Sequence, residues 1–256
     1  MRLLIKLRAI ENTPYEMQYH CHLQGFIYNL LKGSIYDQLH DSEGSKFFSF
    51  SNLFPFNDIR QNDIRNLIIA SPDEQFIRYL YDILQVGRAR EISIGNMKFK
   101  INSLQKMSTR IPDSNSFNLI TGTPIIIRIP REKYKQYGYE SIYKNFTYWK
   151  NEHPIDVFIT QLTNNLLKKY AQYHTQVHDL NEIYKDIKVF DTFKFKKQIS
   201  TRVFMKGSEQ VIIGTLWEFG FNNTNKDLIQ FALDAGLGER NSLGFGFMNL
   251  PLTGHL

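Results

Sequence analysis

Near its C-terminus the chain reads Gly236-Leu237-Gly238-Glu239-Arg240-Asn241-Ser242-Leu243-Gly244-Phe245-Gly246-Phe247-Met248, two Gly-apolar-Gly triplets separated by five residues. Glycine has no Cβ and tolerates positive φ, so such a segment bends sharply and lets its backbone approach another group closely. The apolar residue inside each triplet can hold the loop to a core, which leaves Arg240, Asn241 and Ser242 to face outward. A loop of this kind suits a phosphate-bearing partner, because its N–H groups and Arg240 are all donors. A helix C-cap followed by a bulged strand is the plainer reading of the same residues. The segment is not a Walker A loop, since no Gly-Lys-Ser/Thr follows. It is not a dinucleotide fingerprint either, since a strand rather than a helix is expected after it.

The chain's 256 residues suffice for one large domain or two ordinary ones, and its 42% hydrophobic content supports real cores. A formal net charge of +6 is compatible with a nucleic-acid partner without requiring one. The single cysteine, Cys21, excludes an intrachain disulfide and a cysteine-based metal site. No metal site and no cofactor are expected. The chain opens on a strand-like run, with no signal segment and no apolar stretch near the roughly 18 residues a membrane span needs. A cytoplasmic protein with no membrane partner is the expectation.

Periodicity predicts a strand over 2–9, a helix over 17–32, a strand over 46–54 and a buried strand over 66–70. Ser71-Pro72-Asp73-Glu74 opens a second helix that runs to about Val86. Short strands follow near 91–94, 97–101 and 117–121. The element order of the first half is thus β-α-β-β-α-β, the ferredoxin-like order. The second half repeats it. A strand is expected over 124–129, a helix from Pro154 to about Tyr173, and a long hairpin over 186–205 and 209–219. A helix from Asn225 through Leu233 and a closing strand over 243–249 complete the unit. The expected architecture is α+β, two tandem ferredoxin-like units over 1–118 and 119–256, with the glycine-rich loop between the last helix and strand.

That combination resembles the RNA-binding proteins of CRISPR systems, and within them the repeat-cleaving endoribonucleases that process CRISPR precursor transcripts. Three stretches carry the resemblance: the glycine loop, Leu23-Gln24-Gly25-Phe26-Ile27-Tyr28-Asn29-Leu30-Leu31, and Leu39-His40-Asp41 followed by Lys46-Phe47-Phe48-Ser49-Phe50-Ser51. The resemblance covers essentially the whole chain. It implies metal-independent cleavage of CRISPR repeat RNA, in which a ribose 2′-hydroxyl attacks its own phosphorus to leave a 2′,3′-cyclic phosphate and a 5′-hydroxyl. It also implies Tyr28, His40 and Lys46 as the catalytic residues. CRISPR effector-complex subunits and a homodimer stand as further candidate partners.

The residues read on their own fit those roles to different degrees. At about 100° per residue, Tyr28 falls roughly 150° from the stripe of Leu23, Phe26, Ile27 and Leu30, on the polar face of its helix. His40 sits before a polar run, where its near-neutral pKa suits acid or base work. His20 and His22 lie nearby in sequence, and His20 is the reserve candidate. Lys46 opens the Phe-rich strand, where an edge lysine usually serves solubility. For RNA binding, Lys194, Lys196, Lys197, Arg202 and Lys206 concentrate on the hairpin, with phenylalanines between them that belong to the core. Lys226 at the start of the last helix, Gly236, Gly238, Arg240, Gly244 and Gly246 complete the set. A non-catalytic RNA-binding subunit of the same group, and a small-ligand-binding tandem ferredoxin-like protein, remain as alternatives.

Overall fold

The computed structural model describes residues 1–39, 41, 44–87, 90–136, 145–174, 188–205 and 207–251, with the side chains of residues 135 and 136 excepted. In the first unit, β1 (Arg2–Ala9) and β3 (Ile64–Ala70) carry apolar residues at alternate positions, and their inward residues are buried. Helix α1 (His20–Leu31) follows β1 and buries Leu23, Ile27 and Leu31, one face at helical spacing. Helix α2 (Glu74–Val86) starts at Asp73, whose carboxylate accepts from the Gln75 and Phe76 N–H groups, a cap worth about 1 kcal/mol. With β2 (Ser49–Phe50), β4 (Glu91–Ile94) and β5 (Met97–Met107), the sheet order is β2-β3-β1-β5-β4, every pairing antiparallel. Removing the edge strand β4 leaves the ferredoxin-like order. Both helices pack on this sheet around one apolar cluster that includes Leu3, Ile5, Leu67, Phe76, Leu80 and Phe99.

The second sheet runs β11-β6-β10-β9, built from β6 (Ser116–Thr121), β9 (Thr192–Met205), β10 (Ser208–Asn222) and β11 (Met248–Asn249). Its order reproduces that of the first sheet. Short strands β7 (Arg128–Pro130) and β8 (Phe146–Tyr148) pair separately beside helix α3 (Arg131–Gln136). Helix α4 (Ile155–His174) and helix α5 (Lys226–Ala235) cover the second core, which includes Phe158, Leu162, Leu166, Trp217, Phe219 and Leu233. The chain is thus two tandem ferredoxin-like units.

Three sequence expectations need correction. The strand expected over 46–54 is a two-residue strand at 49–50, because Phe47 adopts a positive φ of 48° and breaks the extended run ahead of it. The strand expected over 124–129 is not the first strand of the second unit. That place belongs to β6, which pairs with β10 and β11, while Ile125 and Ile126 make only isolated bridges. Residue 118 lies within β6. The closing strand expected over 243–249 shrinks to Met248–Asn249, because Gly244 and Gly246 hold φ of 88° and 68° and curl the chain away from the sheet.

Candidate nucleic-acid interface and active site

The glycine loop lies at the junction of the two units. Gly236, Gly238, Gly244 and Gly246 all have positive φ, between 68° and 88°. All four are also pressed against the protein itself. A Cβ on Gly244 would stand 2.3 Å from the Phe50 ring of β2, and one on Gly246 would stand 1.8 Å from the Leu237 carbonyl oxygen. The glycines are buried, and their lack of a side chain serves packing within the chain. The surface of the loop is left to Glu239, Arg240, Asn241 and Ser242.

Only part of that tetrapeptide faces outward as expected. Asn241 turns in: its Nδ2 donates to the carbonyls of Leu237 and Phe245, each at 2.9 Å. Its Oδ1 accepts from the ammonium of Lys169 on α4 at 2.9 Å. Lys169 also donates to the carbonyls of Gly236 (2.6 Å) and Gly238 (3.1 Å). Burial lowers its pKa to about 7, and the carboxylate of Glu239 works against that shift. Glu239 is gripped in turn by Arg128, through both its backbone N–H and its side chain. Arg240 takes a left-handed φ of 58° and lays its guanidinium against the Met205 sulfur at 3.3 Å.

A cavity of about 350 Å³ opens between this loop and residues 44–47 of the first unit. Lys46, Arg128, Lys169 and Arg240 all line it, together with Asn165 and Ser242. A second hollow of about 460 Å³ lies along the polar face of α1, lined by Gln24, Tyr28, Lys32, Asp37 and Asp41 among others. The two are linked. Gln24 Nε2 donates to the Ser242 carbonyl at 3.1 Å, and the Tyr28 hydroxyl interacts with the Ser242 side chain. On the other side, Asp41 in the second hollow acts electrostatically on Lys46 in the first. Burial raises the Tyr28 pKa, opposed by the Ser242 bond, and burial lowers that of Lys46, opposed by Asp41. The fold therefore brings Tyr28, Lys46 and the exposed arc of the glycine loop to one place. His40 and Lys206 lie outside the described residues.

The remaining candidates separate. His20 is stacked between Tyr19 (4.6 Å between centroids) and Phe245 (5.2 Å), and its burial lowers its pKa to about 4. It is neutral at pH 7 and sealed against the glycine loop, a poor position for a proton carrier. His22 sits 3.6 Å from Glu16 on the surface. Lys226 donates to the Asp113 carbonyl at the N-terminus of α5. The glycine loop leaves the other end of that helix, so about 14 Å of axial rise separates Lys226 from it. The basic hairpin is not one patch either. Lys194 and Lys196 flank Glu218 at 3.8 and 2.6 Å, whereas Arg202 lies near Glu209 at 3.8 Å, eight residues further along an extended strand. A bulge leaves Lys196 out of the backbone register, since Phe195 faces Trp217 and Lys197 faces Leu216, and both lysines are exposed.

Sequence reasoning missed Lys169 and Arg128. Each carried a signal. Lys169 falls three residues after Leu166 and seven after Leu162, on the buried stripe of α4, where a charge demands partners. Arg128 interrupts the apolar run Ile125-Ile126-Ile127-Arg128-Ile129. Among the described residues no group of three or more His, Cys, Asp or Glu side chains is arranged to hold a metal ion, and no helix is long and apolar enough to cross a membrane.

A sequence profile described as "CRISPR associated protein Cas6, C-terminal" matches residues 105–250. The chain is 30% identical over 259 aligned residues to "CRISPR-associated endoribonuclease Cas6" of Haloferax mediterranei, covering 98% of this chain and 93% of that protein. This chain belongs to the Cas6 family. A second Cas6 relative, "CRISPR-associated endoribonuclease Cas6 2" of Methanocaldococcus jannaschii, is 30% identical over 97% of this chain and 99% of its own length. Among solved structures, one titled "CRISPR associated protein Cas6" shares the fold with a TM-score of 0.69 at 22% identity, covering 98% of both chains. The Cas6 relationship thus spans both ferredoxin-like units.

Proposed function

We propose that this Cas6 protein is an endoribonuclease that cuts CRISPR repeat RNA by transesterification, without a metal ion. The 2′-hydroxyl of the nucleotide before the cut gives up its proton and its oxygen bonds to the adjoining phosphorus. The P–O5′ bond breaks, and the leaving oxygen takes a proton to become a 5′-hydroxyl. A 2′,3′-cyclic phosphate remains on the upstream product. His40 is assigned the proton transfer, because its ordinary pKa lies near working pH. The Lys46 ammonium and the Tyr28 hydroxyl are assigned to the charge that builds on the phosphorane oxygens.

One observation carries this reading: Tyr28 of α1 and Lys46 of the 44–47 segment line neighbouring hollows, and Gln24 of the first is bonded across their border to Ser242 of the second. A phosphodiester on that border would meet Lys46 and Arg240 from two sides and the Tyr28 hydroxyl from a third. Exposed Lys197 and Arg202 on β9 are assigned to more distant phosphates of the same RNA. The names of the curated relatives favour the same activity.

Single-turnover cleavage of a repeat RNA tests the chemistry. Excess chelator should leave the rate unchanged, and a 2′-deoxy substitution at the nucleotide before the cut should abolish cleavage while preserving binding. Activity lost in chelator and restored by Mg²⁺, or cutting that survives the 2′-deoxy substitution, defeats the mechanism.

A further inference from the structure

The proposed reaction has no task for the most deeply placed cation beside the cavity. Lys169 is 5% exposed, and its α4 neighbours Leu162, Leu166 and Leu167 are core residues. An ammonium has three donor positions. Here all three meet acceptors of the glycine loop: the Gly236 and Gly238 carbonyls and Asn241 Oδ1. Asn241 relays the grip, because its Nδ2 donates to Leu237 in the first Gly-apolar-Gly triplet and to Phe245 in the second. One lysine and one asparagine thus tie together both triplets, and the residues between them, Arg240 and Ser242, are held on the arc that closes the cavity. A neutral side chain at position 169 would leave three inward-facing oxygens without donors in a buried place, a costly state.

We infer that Lys169 is the positioning residue of the glycine loop, its ammonium fixing the arc on which Arg240 and Ser242 meet RNA. The inference rests on the RNA-binding reading of that loop, but its effect on the loop's own shape is separately measurable. Lys169 acts through the loop and touches no RNA. Burial lowers its pKa to about 7, the Glu239 carboxylate opposes that shift, and the loop carbonyls accept from the ammonium.

Lys169→Met and Lys169→Ala in the full chain test this. Hydrogen exchange of the amides in 236–246 should quicken by roughly tenfold or more, as the loss of bonds to a charged donor implies, while amides of β1 and α2 keep parental protection. Repeat-RNA affinity should fall by a similar factor. Propylammonium in the buffer should restore the loop's protection in Lys169→Ala, where it finds a vacated channel, and propanol should not. Adding Lys169→Met to Arg240→Ala should cost little more affinity than Arg240→Ala alone, because both act through one arc. Full additivity of the two would mean that Lys169 contacts RNA itself and would overturn the inference, as would parental loop exchange in Lys169→Met. If Lys169→Met fails to fold, Asn241→Ala decides, since it cuts the relay and leaves the ammonium two acceptors. Unchanged loop exchange in Asn241→Ala also overturns the inference. A parent protein that binds no repeat RNA would sink the functional reading alone, and the exchange measurements would still judge Lys169.

Discussion

Across the cavity of about 350 Å³ the glycine loop and the segment ahead of β2 face each other, and they are held in opposite ways. The loop buries its four glycines and fills its inward carbonyls with donors from Lys169 and Asn241. It is also clamped at Glu239 by Arg128 and backed by Phe50. Residues 44–47 lie outside any strand, with Gly44 exposed and Ser45, Lys46 and Phe47 half-buried. One wall therefore spends its polar groups on its own shape, whereas the other presents a partly desolvated lysine beside an aspartate. Under the proposed function the contrast amounts to a division of labour: the second unit would supply the surface against which RNA is placed, and the first unit the groups that act on it.

The largest expected effect tests the residue assigned the proton transfer. His40→Ala should lower the single-turnover rate by roughly 10²–10⁴-fold with little change in RNA affinity, the pattern of a lost proton carrier. If His40→Ala cuts at the parental rate and His20→Ala does not, the acid/base role moves to α1, against Phe245 of the glycine loop. Next comes the rigid wall. Gly246→Val places a Cβ against the Leu237 carbonyl at positive φ and should cost about 3 kcal/mol in urea unfolding, with RNA binding lost alongside. A fully stable Gly246→Val would mean that the loop is far less constrained than its packing implies.

A subtler probe uses His20, which is stacked on Phe245 of the rigid wall. Its folded pKa of about 4 lies below the ordinary 6.5, so between those values the unfolded chain binds more protons. Its share of the stability is complete above about pH 6.5 and is lost as pH falls toward 4, reaching about 3 kcal/mol. His20→Phe should flatten that part of the pH–stability curve, as urea melts at pH 4.5 and 7 would show. An unchanged slope would place His20 in contact with water. The smallest effects separate two cations. Arg240→Ala should weaken RNA binding and reduce its log–log salt slope by about 1. Lys226→Ala should leave both unchanged, since its ammonium is committed to Asp113 at the far end of α5. Equal losses from the two would show that phosphate contacts are spread over the whole second unit and not concentrated at the arc.

The doubled element order, the glycine loop after α5 and the polar-face position of Tyr28 were all legible in the residues. Each is a local property: apolar periodicity marks α1, α2 and α5, and glycine spacing marks backbone that must adopt positive φ. The start of the second unit was not legible, because Ser116–Thr121 and Pro124–Ile129 are both short apolar runs and only pairing with β10 and β11 distinguishes them. The fate of the glycines was also beyond the sequence. A missing Cβ can accommodate a ligand or a neighbouring chain segment, and the neighbour here, Phe50, lies almost two hundred residues away. The same holds for charge. The sequence determined that Lys169 sits on a buried stripe and that Lys194, Lys196 and Arg202 alternate along a strand. Only the tertiary structure decided that loop carbonyls satisfy the first, that Glu218 and Glu209 accompany the others, and that Lys46 shares a cavity with Arg240 and Ser242. Helical and strand periods are written within a few residues, whereas the partners of a charge are set by which distant segments the packing of two units brings within hydrogen-bonding reach.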